Sequence, residues 1–228
     1  MKKNKIHLSL FAVAWLIILS ASAKAQNFSY SLQKDSSAYN DLIGSTVLVS
    51  GESFINKSYT VHFPFHYNFC GTIADSVRIE TNGFLIFDQA KQLALMAYNN
   101  FGSQKDSLQN YVASISYVIS GTSGNRVVKI QFKNLAQNSF SSFDLVSYQV
   151  WIYESGNKIE VRTGENASTE VPVLIGIINR NMDTEDKAYL LNGNPSNPAG
   201  QIISGTTDLI SLDRIPYGGT IYTLTPTF

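Results

Sequence analysis

The chain has 228 residues, 15% of them charged, with 17 basic and 17 acidic side chains and one cysteine. Four of the lysines fall in the first 25 residues. The remainder is therefore acidic by four charges, with no basic run for nucleic acid or an anionic membrane surface. A lone Cys70 permits no internal disulfide, so stability rests on a packed core, which a chain of this length can build as one domain.

Lys2, Lys3 and Lys5 precede an apolar run from Leu8 to Leu19, and Ala23-Lys24-Ala25 sets small residues before a cut at Gln26. This is the pattern of a secretory signal peptide over 1–25, and the run is short for a membrane span. No cysteine follows the small residues, so no lipoprotein is expected, and no later stretch is long and apolar enough to span a bilayer. The expected plan is a leader over 1–25, an N-terminal arm or edge strand over 26–44, and a single β-sandwich over 45–228. Export to the periplasm, cell surface or medium follows from the leader.

VHFPFHYNFCG, Val61 to Gly71, alternates strictly. Val61, Phe63, Phe65, Tyr67 and Phe69 share one face, while His62, Pro64 and His66 share the other. A period of two marks a half-buried strand with its odd face in the core. The histidines are then about 13 Å apart along the outer face, too far for one metal ion bound at about 2 Å by each. Pro64 cannot donate to a ladder and predicts an edge strand or a bulge. Cys70 reads as a small filler at the corner.

DSVRIETNGFLIFD (Asp75 to Asp88) reads as a hairpin turning at Asn82-Gly83, with a type I′ turn expected there. Residues 89–110 fit either a short helix or a strand with a long excursion. YVASISYVIS and RVVKIQFKN pair across Gly121 to Asn125, and SYQVWIYESGNKIEVRTG turns at Ser155-Gly156-Asn157. Further strands are expected at Val173 to Ile178, Ala188 to Leu191, Gln201 to Ser204 and Thr220 to Thr225. The whole is an all-β, antiparallel β-sandwich, jelly-roll-like, with roughly ten to thirteen short strands and little or no helix.

The candidate functional residues lie on the 144–154 strand. Val146, Tyr148, Val150 and Ile152 form its apolar face; Ser147, Gln149, Trp151 and Tyr153 form the other. Rings beside amides are what a sugar-binding platform uses, so Trp151, Tyr153 and Gln149 are the binding candidates. The competing reading is a central strand covered on both sides, with Trp151 packed under a loop. For a metal, Asp183, Glu185 and Asp186 offer hard oxygens to Ca²⁺, without EF-hand order, and a solvated loop accounts for them as well. No other cofactor is indicated.

No Gly-x-Ser-x-Gly elbow occurs, and no carboxylate pair stands out. Glu160 reads as an outward residue, and Glu154, at the strand end, as a turn or cross-strand partner, with Lys158 one candidate for it.

TNGFLIF after a strand ending FCG, then GNRVVKIQFKN, then YQVWIYESGNKIEV, then GGTIYTLTP, occur in that order. Their succession from Tyr59 to Pro226 resembles a nidogen-like β-sandwich module of exported and surface proteins of the Bacteroidota. The resemblance implies a non-catalytic surface module. Two departures stand beside it: the segment after the Asn-Gly hairpin reads LALMAYNNFG without the family's paired acids, and no sorting domain for the type IX route follows. The expected function is a secreted binding or adhesion module for a glycan or a surface protein. The alternatives are a hydrolytic enzyme on a jelly-roll scaffold and a structural part of a surface assembly.

Overall fold

In a computed structural model of the chain, the described residues are 28–54, 57–88, 93–97, 102–103, 105–106, 108, 110–136, 145–166, 171–180, 186–205 and 210–227. The leader expected over 1–25 lies outside them. Strands β1 (Tyr30–Ser36) and β2 (Thr46–Ser50) open the chain and take opposite edges of one sheet. The second sheet begins as a meander of β3 (Ser58–Phe69), β4 (Thr72–Glu80), β5 (Phe84–Asp88) and β6 (Leu93–Ala97). The chain then returns to the first sheet through β7 (Gly102–Ser103), β8 (Ser114–Ser120), β9 (Val127–Ala136), β10 (Leu145–Tyr153) and β11 (Ile159–Asn166). It crosses again for β12 (Ile175–Asn179), β13 (Lys187–Asn192) and β14 (Ala199–Ser204), and β15 (Thr220–Pro226) closes the first sheet between β1 and β11.

The result is an antiparallel β-sandwich. The eight-stranded sheet runs β1-β15-β11-β10-β9-β8-β2, with β7 on β9; the seven-stranded sheet runs β14-β13-β12-β6-β5-β4-β3. Fifteen strands among the described residues exceed the roughly ten to thirteen expected from turn spacing. Short pieces such as Gly102–Ser103 and the arm Tyr30–Ser36 pair without a local hydrophobic signal. Leu93–Ala97 resolves as strand where periodicity left helix and strand open. Among the described residues, no helix is long and apolar enough to cross a membrane.

Strict alternation puts one face of each sheet into a shared core. On β3 the odd positions from Val61 to Phe69 are all buried, while His62, Pro64 and His66 are exposed. Phe69 stacks on Phe87 at 4.0 Å between centroids, and in the facing sheet Phe132 stacks on its cross-strand neighbour Tyr148 at 4.6 Å. Each such ring gains about 1.5–3 kcal/mol from burial, and a well-oriented pair about 0.5–1.5 kcal/mol more. β3 lies at the sheet edge and also bulges. His62 pairs with Ser76 and Tyr67 with Ala74, so Phe63 to His66 oppose Asp75 alone. Pro64 thus sits where its missing N–H costs nothing.

The turns correct one expectation. Thr81, Asn82 and Gly83 make a three-residue connection: Gly83 N–H bonds the Glu80 carbonyl, and Ile79 pairs with Leu85. Only Gly83 has positive φ (96°), the form of a type I turn followed by a left-handed residue. Thr81 N–H is engaged by the Lys57 carbonyl and so cannot close a tighter ladder. The two positive φ values of a type I′ turn occur one hairpin earlier, at Cys70 (51°) and Gly71 (80°).

Candidate functional site

The segment from Ser37 to Ser45 must join β1 at one edge of the eight-stranded sheet to β2 at the other. Six inter-strand steps of about 4.8 Å make about 29 Å, and ten residue steps reach about 33 Å when extended. The segment is therefore a taut strap across the outer face. Ser37 N–H bonds the Gly219 carbonyl at 2.9 Å, the Asn40 carbonyl accepts from Gln149 Nε2 at 2.8 Å, and Leu42 N–H bonds Gln131 Oε1 at 2.9 Å. Asp41 forms an ion pair with Lys133.

Under the strap the outer face is polar but closed to water. Ser116, Gln131, Ser147, Gln149 and Thr163 are all buried there. Uncharged hydrogen-bonding side chains suit this place, because a strap lacking its own ladder needs partners for its backbone groups. Gln149 is 2% exposed. Its amide nitrogen donates to Asn40 and to Gln131 Oε1, and its oxygen accepts from the Trp151 indole N–H at 2.8 Å. It thus lies beneath the strap and holds Trp151 in place.

Trp151 and Tyr153 emerge just past the strap, half-buried, with centroids 6.3 Å apart. Lys129 Nζ, from β9, lies 4.1 Å from the indole centroid, and Arg162 Cζ, from β11, lies 3.9 Å from it. Lys158 Nζ sits 4.0 Å over the Tyr153 ring. Glu160 balances them, 3.2 Å from Lys158 and 3.9 Å from Arg162. Burial, then the repulsion of Arg162, lowers the Lys129 pKa. Burial, then a hydrogen bond with Glu160, raises the Tyr153 phenol. Strap and rings enclose a small cleft of about 160 Å³ bordered by Tyr39, Gln149, Trp151 and Arg162.

The other flank of the strap borders a different arrangement. On β9, Lys133 and Asn134 together oppose Ser147, because Val146 pairs with Leu135 and Tyr148 with Phe132. On β11, Gly164 and Glu165 do the same, because Val146 pairs with Asn166 and Tyr148 with Thr163. One serine is thus flanked by a bulge on either side. Asn134 takes φ 53°, a left-handed conformation that costs most residues about 1–2 kcal/mol and that asparagine tolerates best. Its N–H bonds Ser147 Oγ at 3.1 Å. Gly164 packs beneath the Tyr39 ring, where a Cβ would come within 3.0 Å of it. Around this double bulge opens a cleft of about 580 Å³ lined by Tyr39, Asn40, Asp41, Lys133, Asn134, Leu145, Ser147, Glu165 and Asn166.

Trp151 and Tyr153 lie on the face opposite the apolar one, as the alternation required, while Gln149, offered with them for binding, is buried. A cover over this strand was the competing reading, but neither the path of the strap nor the double bulge was foreseen. The available signal was the run of buried-type amides and hydroxyls, Gln131, Ser147, Gln149 and Thr163, on three adjacent strands. Glu154 is a turn and cross-strand partner as expected, but not to Lys158. Arg126 holds it by a two-pronged pair, Nε to Oε2 at 2.8 Å and Nη2 to Oε1 at 2.6 Å. The N–H groups of Gly124 and Arg126 add 2.9 and 3.0 Å contacts, so Glu154 closes the neighbouring hairpin instead of meeting Lys158. Of the proposed calcium ligands, Asp183 and Glu185 lie outside the described residues; the Asp186 carbonyl accepts from Gly205 N–H at 2.9 Å. Among the described residues no three His, Cys, Asp or Glu side chains are grouped to hold a metal.

A family model described as NIDO related matches residues 29–226, the span from just before β1 to the end of β15. No curated protein and no solved structure matches the chain.

Proposed function

The chain belongs to the NIDO-related family, a non-catalytic module type typical of extracellular proteins, and on that premise we propose an exported binding module that recognises an acidic surface partner protein through Trp151. The observation that carries the reading is the cationic collar around the rings. Lys129 and Arg162 lie over the indole and Lys158 over the phenol, with Glu160 opposing them. Sugar stacking needs an open aromatic face, and cations already attend these.

A protein partner uses the same arrangement well. Trp, Tyr and Arg dominate interface energetics, and three cations on an otherwise acidic chain attract carboxylates from a distance. Trp151 and Tyr153 make the contact in this reading, and Gln149 keeps the indole in its rotamer. The leader pattern over 1–25 supports export to the periplasm or the cell surface.

The test is surface plasmon resonance of residues 26–228 over immobilised acidic, neutral and basic peptides of equal length, each with one aromatic residue. Acidic peptides should be retained preferentially and released by salt. Trp151→Ala and Lys129→Glu should each weaken retention about tenfold. Equal retention of all three peptide classes, or unchanged binding in both variants, would sink the reading.

A further inference from the structure

The double bulge at Ser147 builds a second cleft, separated from the Trp151 surface by Tyr39 and Asn40 of the strap, which border both. Bulges concentrate beside binding and active sites because they re-aim side chains that a regular ladder would hold flat. Here two of them flank a single residue, and Asn134 is held left-handed to make it so. The volume, about 580 Å³, is that of a small-ligand site.

The lining decides the chemistry. Asp41 and Lys133 satisfy one another, which leaves Glu165 as the uncompensated charge, facing solvent. An anionic ligand would meet that carboxylate. Asn134 and Asn166 each donate an amide hydrogen inward, to the carbonyls of Val112 and Pro216, leaving their side-chain oxygens as acceptors. The Asn40 side chain stands exposed on the strap. The Glu165 carboxylate and the asparagine oxygens accept, and the exposed Asn40 amide both donates and accepts, which matches a ligand whose groups do both. The Tyr39 ring at the border offers a surface for C–H groups. A cation fits poorly, because no third His, Cys, Asp or Glu joins the two carboxylates among the described residues. We infer that this cleft binds a neutral saccharide, independently of the partner proposed at Trp151.

An array of neutral gluco-, manno-, galacto- and xylo-oligosaccharides, followed by calorimetry of each hit on residues 26–228, tests this. At least one should bind. Glu165→Ala and Asn40→Ala should each weaken it about tenfold (about 1.4 kcal/mol). Trp151→Ala should leave it within about twofold, on the same scale. Both cleft side chains are exposed, so thermal melts of these variants should match the wild type. The inference is overturned if no neutral oligosaccharide binds, if a hit survives both cleft variants, or if Trp151→Ala abolishes it. Calcium chloride or peptide binding that displaces no sugar and is lost with Glu165→Ala would overturn it equally.

Discussion

Gln131 and Gln149 lie directly opposite one another on β9 and β10, and Nε2 of Gln149 donates to Oε1 of Gln131 at 2.8 Å. The same two amides carry the strap, one through Leu42 N–H and the other through the Asn40 carbonyl, while Gln149 also fixes the Trp151 indole. A single cross-strand pair thus joins the cover of the sheet to the exposed ring.

Gln149→Leu should therefore be costly. It strands the Trp151 indole N–H and the Asn40 carbonyl without their partner, at about 1–3 kcal/mol for each group left unsatisfied. Urea melts should show a loss of about 2–4 kcal/mol, against a change within about 0.5 kcal/mol for Gln33→Leu on exposed β1. Equal, small losses in both would mean that the amide pair does not hold the strap.

Gly164→Ala should loosen the strap from below. The new Cβ would lie 2.9 Å from the Ser147 carbonyl oxygen and 3.0 Å from the Tyr39 ring. The backbone oxygen cannot yield as the ring can, so a loss of about 1–3 kcal/mol is expected. Hydrogen exchange should speed up at Leu42 N–H. Unchanged exchange there would show that Tyr39 absorbs the methyl unaided.

The Glu154 carboxylate is held at about 2, below its ordinary 4.5, first by the Arg126 side-chain hydrogen bonds and then, against some desolvation, by the N–H groups of Arg126 and Gly124. A depressed folded value means that this stabilisation is full above 4.5 and fades as pH falls toward about 2. The wild type should thus lose stability across that window more steeply than Glu154→Gln. Parallel pH profiles would remove Glu154 from the acid response.

Burial pushes the Cys70 thiol up to about 12, and its hydrogen bond with the Tyr30 hydroxyl, at 3.3 Å, draws it only partway back. Iodoacetamide at neutral pH should label the native chain at least about tenfold more slowly than the urea-unfolded chain, since only the thiolate reacts. Comparable rates would place Cys70 in an open, reactive setting.

Much of the sandwich was legible because its signals are local. Val61 to Phe69 alternates so strictly that its buried face is plain, and Pro64, which called for an edge strand or a bulge, sits in a strand that has both. The outward direction of Trp151 and Tyr153 was readable for the same reason. The identity of the cover over their neighbour Gln149 was not, because Ser37 to Ser45 has no periodicity and acquires its path only from the sheet edges it connects. Glu154 met Arg126 rather than Lys158 through the β9–β10 register, which pairs Tyr153 with Val127. The double bulge is likewise a property of three strands together, and no one of them announces it.

The path of residues 37–45 also sets an order in time. β1 pairs only with β15, and the bond between Ser29 and Thr227 spans 198 positions. The strap, moreover, rests on side chains of β9 and β10 and, at Gly164, on the bare backbone of β11, all made later in synthesis. Contacts so distant in sequence form slowly. β1 therefore has no partner strand until the last strand is made, and the strap has no platform until β9 and β10 are made.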